Sequence, residues 1–325
     1  MKTSRSLAMS LLSLSAAALL VVSAGGVATA APASPDKSSG SVAGKTVDDS
    51  GAAAYWTADR MKSAISGDVL ADKALKRGNA STTGAVERGT STKIDGKEAN
   101  GKPALHADEN PVSHIGKVFF TSGGLNYVCS GNSVVSGNKS TVATAGHCVN
   151  EGPGAFVTNF VFVPAYLNGA APYGKWAATS LYVPTQWSSA GDMQYDTGFA
   201  VVARSKGVTL AETVGASGVE FNAARGLTYK SFGYPAAAPF DGQSLKSCSG
   251  TAINDRYNPQ FNTQGIPCDM TGGSSGGPWF IGTSSNGYQN SINSYRYSGA
   301  PTQVMYGPYW GSVIQQAYSN ASSAR

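Results

Sequence analysis

Short apolar and β-branched runs recur along the last two thirds of the chain, and Gly, Asn, Ser or Pro residues separate them. The runs are IGKVFF, STVATA, FVTNFVFVP, KWAATSLYV, TGFAVV, LTYKSFG, PWFIG and NSYRYSG. This spacing predicts an antiparallel sandwich or barrel rather than alternating β and α units. Only the stretch from Tyr309 has helical spacing, with Val313, Ile314 and Ala317 on one face. We therefore predict an all-β domain with a C-terminal helix over residues 112–325.

The first 30 residues have the pattern of a secretory signal peptide. Basic residues come first, an apolar run from Leu7 to Val22 follows, and small residues lead to Ala30. A membrane anchor is the less favoured interpretation, because the apolar run is short and is broken by serines. We expect cleavage after Ala30, with Ala33 as the alternative, and export from the cell.

Residues 31–111 have a different composition from the rest. Acidic and basic side chains balance there, and the only aromatic residues are Tyr55 and Trp56. Such a stretch buries little apolar surface by itself. Thr57 to Arg77 could form an amphipathic helix, with linker-like Gly, Ser and Thr on either side. A disordered linker is one possibility, but we favour a pro-segment, because the stretch lies between a signal peptide and a compact domain.

Charge and composition exclude some partners. The formal net charge is +5, with no stripe of Lys and Arg among aromatic residues, so we expect no nucleic-acid partner. No segment after the signal peptide is long and apolar enough to span a bilayer, so we expect no membrane contact in the processed protein. We expect the protein to be a monomer without a cofactor.

Four cysteines, Cys129, Cys148, Cys248 and Cys268, all lie in the predicted domain. In an exported protein they are expected to form disulfides, and four cysteines allow three pairings. Pairing Cys129 with Cys148 and Cys248 with Cys268 would close loops of about 20 residues, each worth roughly 3 kcal/mol. A metal site is less favoured, because there is no C-x-x-C pair and histidines are few.

The stretch CDMTGGSSGGPWF, residues 268–280, holds two adjacent serines that could each be a nucleophile. A serine hydroxyl needs an imidazole to take its proton and a carboxylate to orient that imidazole. His106 and His114 lie in polar sequence at the border of the pro-segment and are expected to be solvated. His147 follows a strand-like run and stands next to Cys148, so it is the candidate base.

The order of residues along the chain limits the choice of catalytic arrangement. An α/β-hydrolase needs its histidine after the serine, and none follows His147. The subtilisin order needs an acidic residue before the histidine, and none lies between residues 111 and 147. The order His, Asp, Ser remains. Asp196 leads into an apolar run and is preferred as the acid over Asp192, which is expected to be a solvated loop residue.

Two motifs carry a resemblance to the trypsin/chymotrypsin family of serine proteases. Thr144-Ala-Gly-His-Cys148 resembles the histidine motif of that family, and Gly273-Ser-Ser-Gly-Gly-Pro278 resembles its Gly-Asp-Ser-Gly-Gly-Pro nucleophile motif. In this register Ser275 is the nucleophile, and Ser274 stands where the family usually has aspartate. Asp196 resembles the family's aspartate, which small and aliphatic residues follow.

The resemblance implies a double β-barrel with the His147, Asp196 and Ser275 triad between the barrels. It also implies an oxyanion hole formed by the N–H groups of Gly273 and Ser275. Ser274, the few cysteines and the run IGKVFF are closest to the bacterial, glutamyl-endopeptidase-like branch. The function expected is a secreted serine endopeptidase that cleaves proteins or peptides through an acyl-enzyme. The alternatives are a binding or adhesion protein on an unused protease fold, and an esterase with the same triad.

The resemblance also suggests a substrate pocket. Asp269 lies six residues before Ser275, where trypsin-like members carry the aspartate that binds substrate Arg or Lys. Ser294 and Arg296 belong to a segment that resembles the strand lining the pocket, and Asn293 replaces the histidine of glutamyl-specific relatives. We expect basic residues at the substrate position before the cut (P1) first, uncharged residues second and acidic residues last.

Ser274 also bears on activation. Being uncharged, it cannot pair with a newly freed N-terminus as the aspartate of trypsin-like relatives does. The pro-segment is therefore expected to act by covering the cleft or by assisting folding, with cleavage between Asn110 and His114.

Overall fold

Strands make up most of the regular structure in the computed structural model, which describes residues 41–77, 89–96 and 109–325. All of these residues belong to one unit, Ser38–Arg325. The predicted signal peptide and its cleavage sites, and His106, lie outside the described residues. In the part that is described, no helix is long and apolar enough to cross a membrane.

The strands are β1 (Val42–Thr46), β2 (Ile65–Ser66), β3 (Thr92–Ile94), β4 (Ile115–Ser122), β5 (Leu125–Val134), β6 (Thr141–Thr144), β7 (Thr158–Pro164), β8 (Trp176–Pro184), β9 (Gly198–Val202), β10 (Val219–Phe221), β11 (Thr228–Gly233), β12 (Lys246–Thr251), β13 (Ile253–Asn254), β14 (Gln264–Pro267), β15 (Pro278–Ile281), β16 (Gln289–Ile292) and β17 (Val304–Gly307). The helices are α1 (Ala52–Tyr55), α2 (Ala58–Ser63), α3 (Asp68–Arg77), α4 (Thr185–Ala190), α5 (Leu210–Val214) and α6 (Ser312–Ser323). Short 3₁₀ turns cover Gly146–Cys148 and Met193–Tyr195.

Six antiparallel strands close the first barrel, in the order β4, β5, β6, β9, β8, β7. The ring closes because β4 pairs with both β5 and β7, and β8 pairs with both β7 and β9. Side chains that alternate along these strands fill the interior, among them Val118, Phe120, Val142, Phe162 and Leu181. A closed ring leaves no free strand edge between its members.

The second half consists of two sheets. One has the order β12, β11, β15, β16, β10, β3, and the other has the order β13, β14, β17. Tyr229, Ile266, Met270 and Trp279 form a buried cluster in this half. The sequence pattern therefore predicted the all-β class correctly.

The predicted C-terminal helix is confirmed as α6. Its buried face consists of Ile314, Ala317, Tyr318 and Ala321, whose spacing is that of one helix face. The prediction of this face was only partly right, because Val313 is half-buried. Tyr318 packs its ring against Phe199 of β9, so α6 is attached to the first barrel.

Residues 41–77 pack against the first barrel. Strand β1 pairs with β8, and the buried Trp56 donates from its indole nitrogen to the carbonyl of Asn159 at 2.6 Å. The single helix predicted over Thr57 to Arg77 is wrong, because α2 and α3 are separated by β2. Strand β2 pairs with β5, so a contact distant in sequence overrides the local helical pattern there.

The two disulfides join Cys129 to Cys148 and Cys248 to Cys268, which are the pairings that close the short loops. Cys129 and Cys148 are both buried, whereas Cys248 is half-exposed.

Removing the Cys129–Cys148 disulfide as the double variant Cys129→Ala/Cys148→Ala should lower the free energy of unfolding by about 3 kcal/mol. The reason is that the unfolded chain regains the freedom of the closed loop. Chemical denaturation followed by tryptophan fluorescence measures this change. The pair Cys248→Ser/Cys268→Ser closes a loop of similar length and serves as the comparison. An unchanged denaturation midpoint in the first variant would contradict the prediction.

Candidate active site

His147 and Asp196 form a buried pair between the end of β6 and the start of β9. Nδ1 of His147 lies 2.8 Å from Oδ2 of Asp196, and the backbone N–H of His147 donates to Oδ1 at 2.8 Å. Both side chains are fully shielded from solvent. The carboxylate therefore fixes the ring through one nitrogen. Among the described residues the other nitrogen, Nε2, has no hydrogen-bond partner, so the Ser275 hydroxyl is not bonded to it. An imidazole held in this way can accept a proton at Nε2.

The local structure explains the position of the histidine. Strand β6 ends at Thr144, and the 3₁₀ turn Gly146–Cys148 then turns the chain so that His147 faces Asp196. The disulfide from Cys148 to Cys129 fastens this turn to β5. The ring of Trp187 lies 6.3 Å from the imidazole ring, centre to centre, and closes one side of the pair.

Ser275 lies in the loop before β15, and this loop is attached to the first barrel. The carbonyl of Ser275 accepts from the N–H of Ser130 at 2.7 Å, and the carbonyl of Gly273 accepts from the Ser130 hydroxyl at 2.9 Å. A Cβ added at Gly276 would lie 2.1 Å from Oγ1 of Thr144, in the strand that leads to His147. We call the loop of residues 271–277 the nucleophile loop and the 3₁₀ turn Gly146–Cys148 the histidine turn. The two meet at the same end of the barrel.

The backbone of this loop presents two donors. Among the described residues, the N–H groups of Gly273 and Ser275 form no hydrogen bond. Gly273 has φ +95° and Gly276 has φ +80°, values that favour glycine. Free N–H groups beside a serine hydroxyl can bind an oxyanion.

Ser274 has a different environment from its neighbour. Its hydroxyl donates to the carbonyl of Thr271 at 2.8 Å, and the side chain is buried. Asn293 lies beneath it and donates to the carbonyls of Ser274 and Phe232. Asn293 is thus a packed residue of the interior, which leaves no side-chain donor for a substrate at that position.

Ser294 has a contact that the sequence did not predict. Its hydroxyl donates to Oδ2 of Asp196 at 2.6 Å. The same residue lines the cavity beside Ser275, where the resemblance had placed it. Its position directly after β16, two residues before Arg296, was the only signal in the sequence, and nothing there indicated which carboxylate it would meet.

A cavity of about 220 Å³ opens beside Ser275 and Ser294. Tyr295 and Arg296 form one wall of it. Arg296 is half-buried and is the only basic side chain among the described residues that line this cavity.

Asp269 does not lie where the spacing predicted. Its side chain is exposed, and the residues that line the cavity do not include it. Cys268, directly before it, forms the disulfide to Cys248, and Oδ1 of Asp269 lies 4.0 Å from the Cys248 sulfur. The expectation that it forms the floor of a pocket for substrate Arg or Lys is therefore corrected.

Two other residues are buried where the sequence predicted solvent. Asp192 is fully buried and caps a 3₁₀ turn by accepting from the N–H of Gln194 at 3.0 Å. His114 is buried, with Nδ1 2.7 Å from Oδ1 of Asn132, and burial lowers the pKa of its imidazole. Both lie in segments that look polar in sequence, since their burial depends on contacts with residues distant in the chain.

One grouping among the described residues could suggest a metal centre, namely Cys129, His147 and Cys148. The two sulfurs are bonded to each other in the disulfide, so neither is a thiolate ligand. Only the imidazole of His147 is left as a donor in that group.

Comparison with solved structures gives three instructive matches. Protease Anisep from Arthrobacter nicotinovorans is 73% identical over 67% of this chain and 99% of that one, with a TM-score of 0.65. The thermostable serine protease AL20 from an extremophilic microorganism is 52% identical over 66% of this chain and 99% of that one, with a TM-score of 0.63. A Glu endopeptidase is 20% identical over 71% of this chain and 98% of that one, with a TM-score of 0.53. At this identity the match shows a shared fold and nothing more.

No protein-family model matches the chain. Among curated proteins, an extracellular metalloprotease of Bacillus subtilis is 24% identical over 194 residues. That match covers 60% of this chain and about half, 48%, of the Bacillus protein.

Proposed function

The chain belongs to the bacterial trypsin/chymotrypsin-like serine proteases, and from that premise we propose that it is a secreted endopeptidase that works through Ser275, His147 and Asp196. The predicted double β-barrel fold and peptidase class agree with the matches to Anisep and AL20. The observation that carries the proposed mechanism is the histidine pair with a free Nε2 beside a serine loop that has two free N–H groups.

In the proposed mechanism, Nε2 of His147 takes the proton of the Ser275 hydroxyl as the oxygen attacks the substrate carbonyl. Asp196 holds the imidazole in the tautomer with a proton on Nδ1 and stabilises its charged form. The N–H groups of Gly273 and Ser275 bind the oxyanion, and the imidazolium then protonates the leaving amine. Water hydrolyses the acyl-enzyme by the same steps in reverse order.

We also propose that the protein is made as a precursor with a signal peptide and a pro-segment. The match to Anisep covers nearly all of that chain but only 67% of this one, which fits a mature domain preceded by a removed segment. Export is consistent with two disulfides.

The boundary of the mature domain is proposed to lie before Glu109 rather than between Asn110 and His114. Glu109 is buried, and its carboxylate lies 2.5 Å from the Lys230 ammonium and accepts from the Ser247 hydroxyl. A cut after Glu109 would remove the partner of Lys230, whereas a cut before it leaves this ion pair inside the domain.

The other candidate functions use the same fold. A binding protein on an unused protease fold would not need Nε2 of His147 and the two N–H groups to be free. An esterase would use the same triad, and comparing amide with ester turnover separates it from an endopeptidase.

Ser275→Ala should abolish peptide hydrolysis, while Ser274→Ala should keep much of it, because the Ser274 hydroxyl is bound to Thr271. Asp196→Asn should lower kcat by roughly 10⁴, since His147 loses the correct tautomer. Turnover of a peptide amide by each processed variant measures these effects. Equal inactivity of the two serine variants, with both folded, would contradict the assignment of Ser275.

Ser294→Ala should lower kcat roughly tenfold to hundredfold with little change in KM, because a hydrogen bond to a charged group contributes about 1.5–3 kcal/mol. Ser294 acts here as a positioning residue for Asp196. The control is Ser291→Ala, whose hydroxyl donates to the carbonyl of Pro308. If both variants lose kcat equally, or if Ser294→Ala raises KM and leaves kcat unchanged, Ser294 is not a positioning residue.

The preferred charge at P1 should differ from the basic charge that the sequence predicts. Arg296 is the basic side chain among the described residues that line the cavity, whereas Asp269 does not line it, so peptides with acidic or uncharged P1 should be cleaved faster than those with Arg or Lys. Arg296→Gln should narrow this difference in kcat/KM, measured with a fluorogenic P1 library. The exposed Arg256→Gln and Asp269→Ser should leave the preference unchanged. Faster cleavage after Arg or Lys by the wild type, lost in Asp269→Ser, would instead support a pocket with Asp269 at its floor.

A further inference from the structure

Residues 65–77 of the proposed pro-segment pass directly over the candidate active site. Strand β2 pairs in parallel with β5, and the N–H of Gly67 donates to the carbonyl of Val128 at 2.9 Å. A Cβ added at Gly67 would lie only 2.6 Å from Sγ of Cys129, in the disulfide that fixes the histidine turn. The chain therefore approaches this turn as closely as a glycine allows.

Helix α3 continues across the cleft with its apolar face toward the protease domain. Leu70, Ala71 and Ala74 are buried in the same cluster as Cys148. At the far end of the helix, Arg77 donates to the carbonyl of Gly152 at 2.7 Å. Helix α3 is thus held along its whole length, by apolar burial in the middle and a hydrogen bond at its end.

Asp68, the first residue of α3, is inserted against the loop of the proposed nucleophile. A Cβ added at Gly272 would lie 2.2 Å from both carboxylate oxygens of Asp68. Asp68, Ala71 and Asp72 all line the cavity that Ser275 lines. Helix α3 therefore forms part of the cavity wall, and a substrate could not occupy the space that these three residues take up.

The segment is not placed as a substrate would be. A scissile peptide must direct its carbonyl to the oxyanion donors. No described carbonyl accepts from Gly273 or Ser275, and the backbone at Asp68 has already begun a helix. The segment lines the cavity beside Ser275 without presenting a bond for acylation.

We propose that residues 65–77 are a resident inhibitor of the protease, with α3 closing the cleft over the formed His147–Asp196 pair and Asp68 packed against Gly272 of the nucleophile loop. This inference rests on the proposed function of Ser275. The surface that binds α3 is formed by β5, the histidine turn and the nucleophile loop.

The test is labelling of Ser275 by an organophosphonate probe in the full-length protein. Gel electrophoresis separates intact from processed chain, so the labelling rate of each form is measured in one sample. The intact chain should label at least about tenfold more slowly, because only the undocked fraction reacts. Equal rates would overturn the inference, whereas failure of the processed chain to label would overturn the proposed function instead.

Gly67→Leu should speed labelling of the intact chain toward the rate of the processed chain, because the new side chain meets the Cys129 sulfur. The matched control is Gly51→Leu, in the same segment, where an added Cβ has no atom within 4 Å. Leu70→Ala is a second variant that weakens docking through lost burial and should also speed labelling. If neither Gly67→Leu nor Leu70→Ala changes the rate, α3 does not close the site.

Charge gives docking a pH dependence. Burial, and next the Asp68 carboxylate, raise the pKa of Asp72, while Lys76, His147 and Arg296 act in the opposite direction. A pKa raised by docking means that docking is most stable below the ordinary pKa of the carboxyl and weakens as the pH rises through the raised value.

Labelling of the intact chain relative to the processed chain at the same pH should therefore rise with pH across the acidic range. Comparing the two forms at each pH removes every change that is common to both. Asp72→Asn should flatten this rise and slow labelling of the intact chain at neutral pH. Faster labelling in that variant would contradict this account, because it would show that attraction between the Asp72 carboxylate and Arg296 stabilises the docked helix.

Discussion

The buried carboxylate of Asp196 is the interaction on which the rest of the site depends. An ionised carboxylate is costly to bury unless donors surround it. Asp196 accepts from the N–H and Nδ1 of His147 and from the hydroxyl of Ser294. His147 belongs to the first barrel, whereas Ser294 follows β16 of the second half. The same charge that orients the imidazole therefore fixes how the two halves meet.

The nucleophile loop adds a second connection between the halves. Ser130 of β5 donates its N–H to Ser275 and its hydroxyl to Gly273, and the hydroxyl itself accepts from the N–H of Tyr234. These bonds use the carbonyls of Gly273 and Ser275, whose N–H groups form no hydrogen bond within the described part of the chain. One serine of the opposite barrel thus holds the two carbonyls of the loop.

The sequence predicted those features that depend on local pattern. The strands, α6 and the order of His147, Asp196 and Ser275 could be identified from spacing and motif. Features set by contacts distant in the chain could not: His114 and Asp192 are buried in polar-looking segments, and Ser294 meets a carboxylate 98 residues away. Asp269 kept the spacing of a pocket residue but lies outside the cavity, because spacing along a loop does not fix the direction of a side chain.

Residues 41–77 show why composition alone misjudged the proposed pro-segment. Its few apolar side chains cannot form a core by themselves, but Trp56 and Leu70 are buried against surfaces that the barrel supplies. In the chain that carries this segment, the His147–Asp196 pair is formed, and the N–H groups of Gly273 and Ser275 form no hydrogen bond with any residue that the structure describes. Ser274, uncharged and bound to Thr271, offers no carboxylate for a new N-terminus to bind. Control by access, rather than by assembly of the site, is the arrangement that fits these contacts, since the His147–Asp196 pair is already formed while α3 is docked.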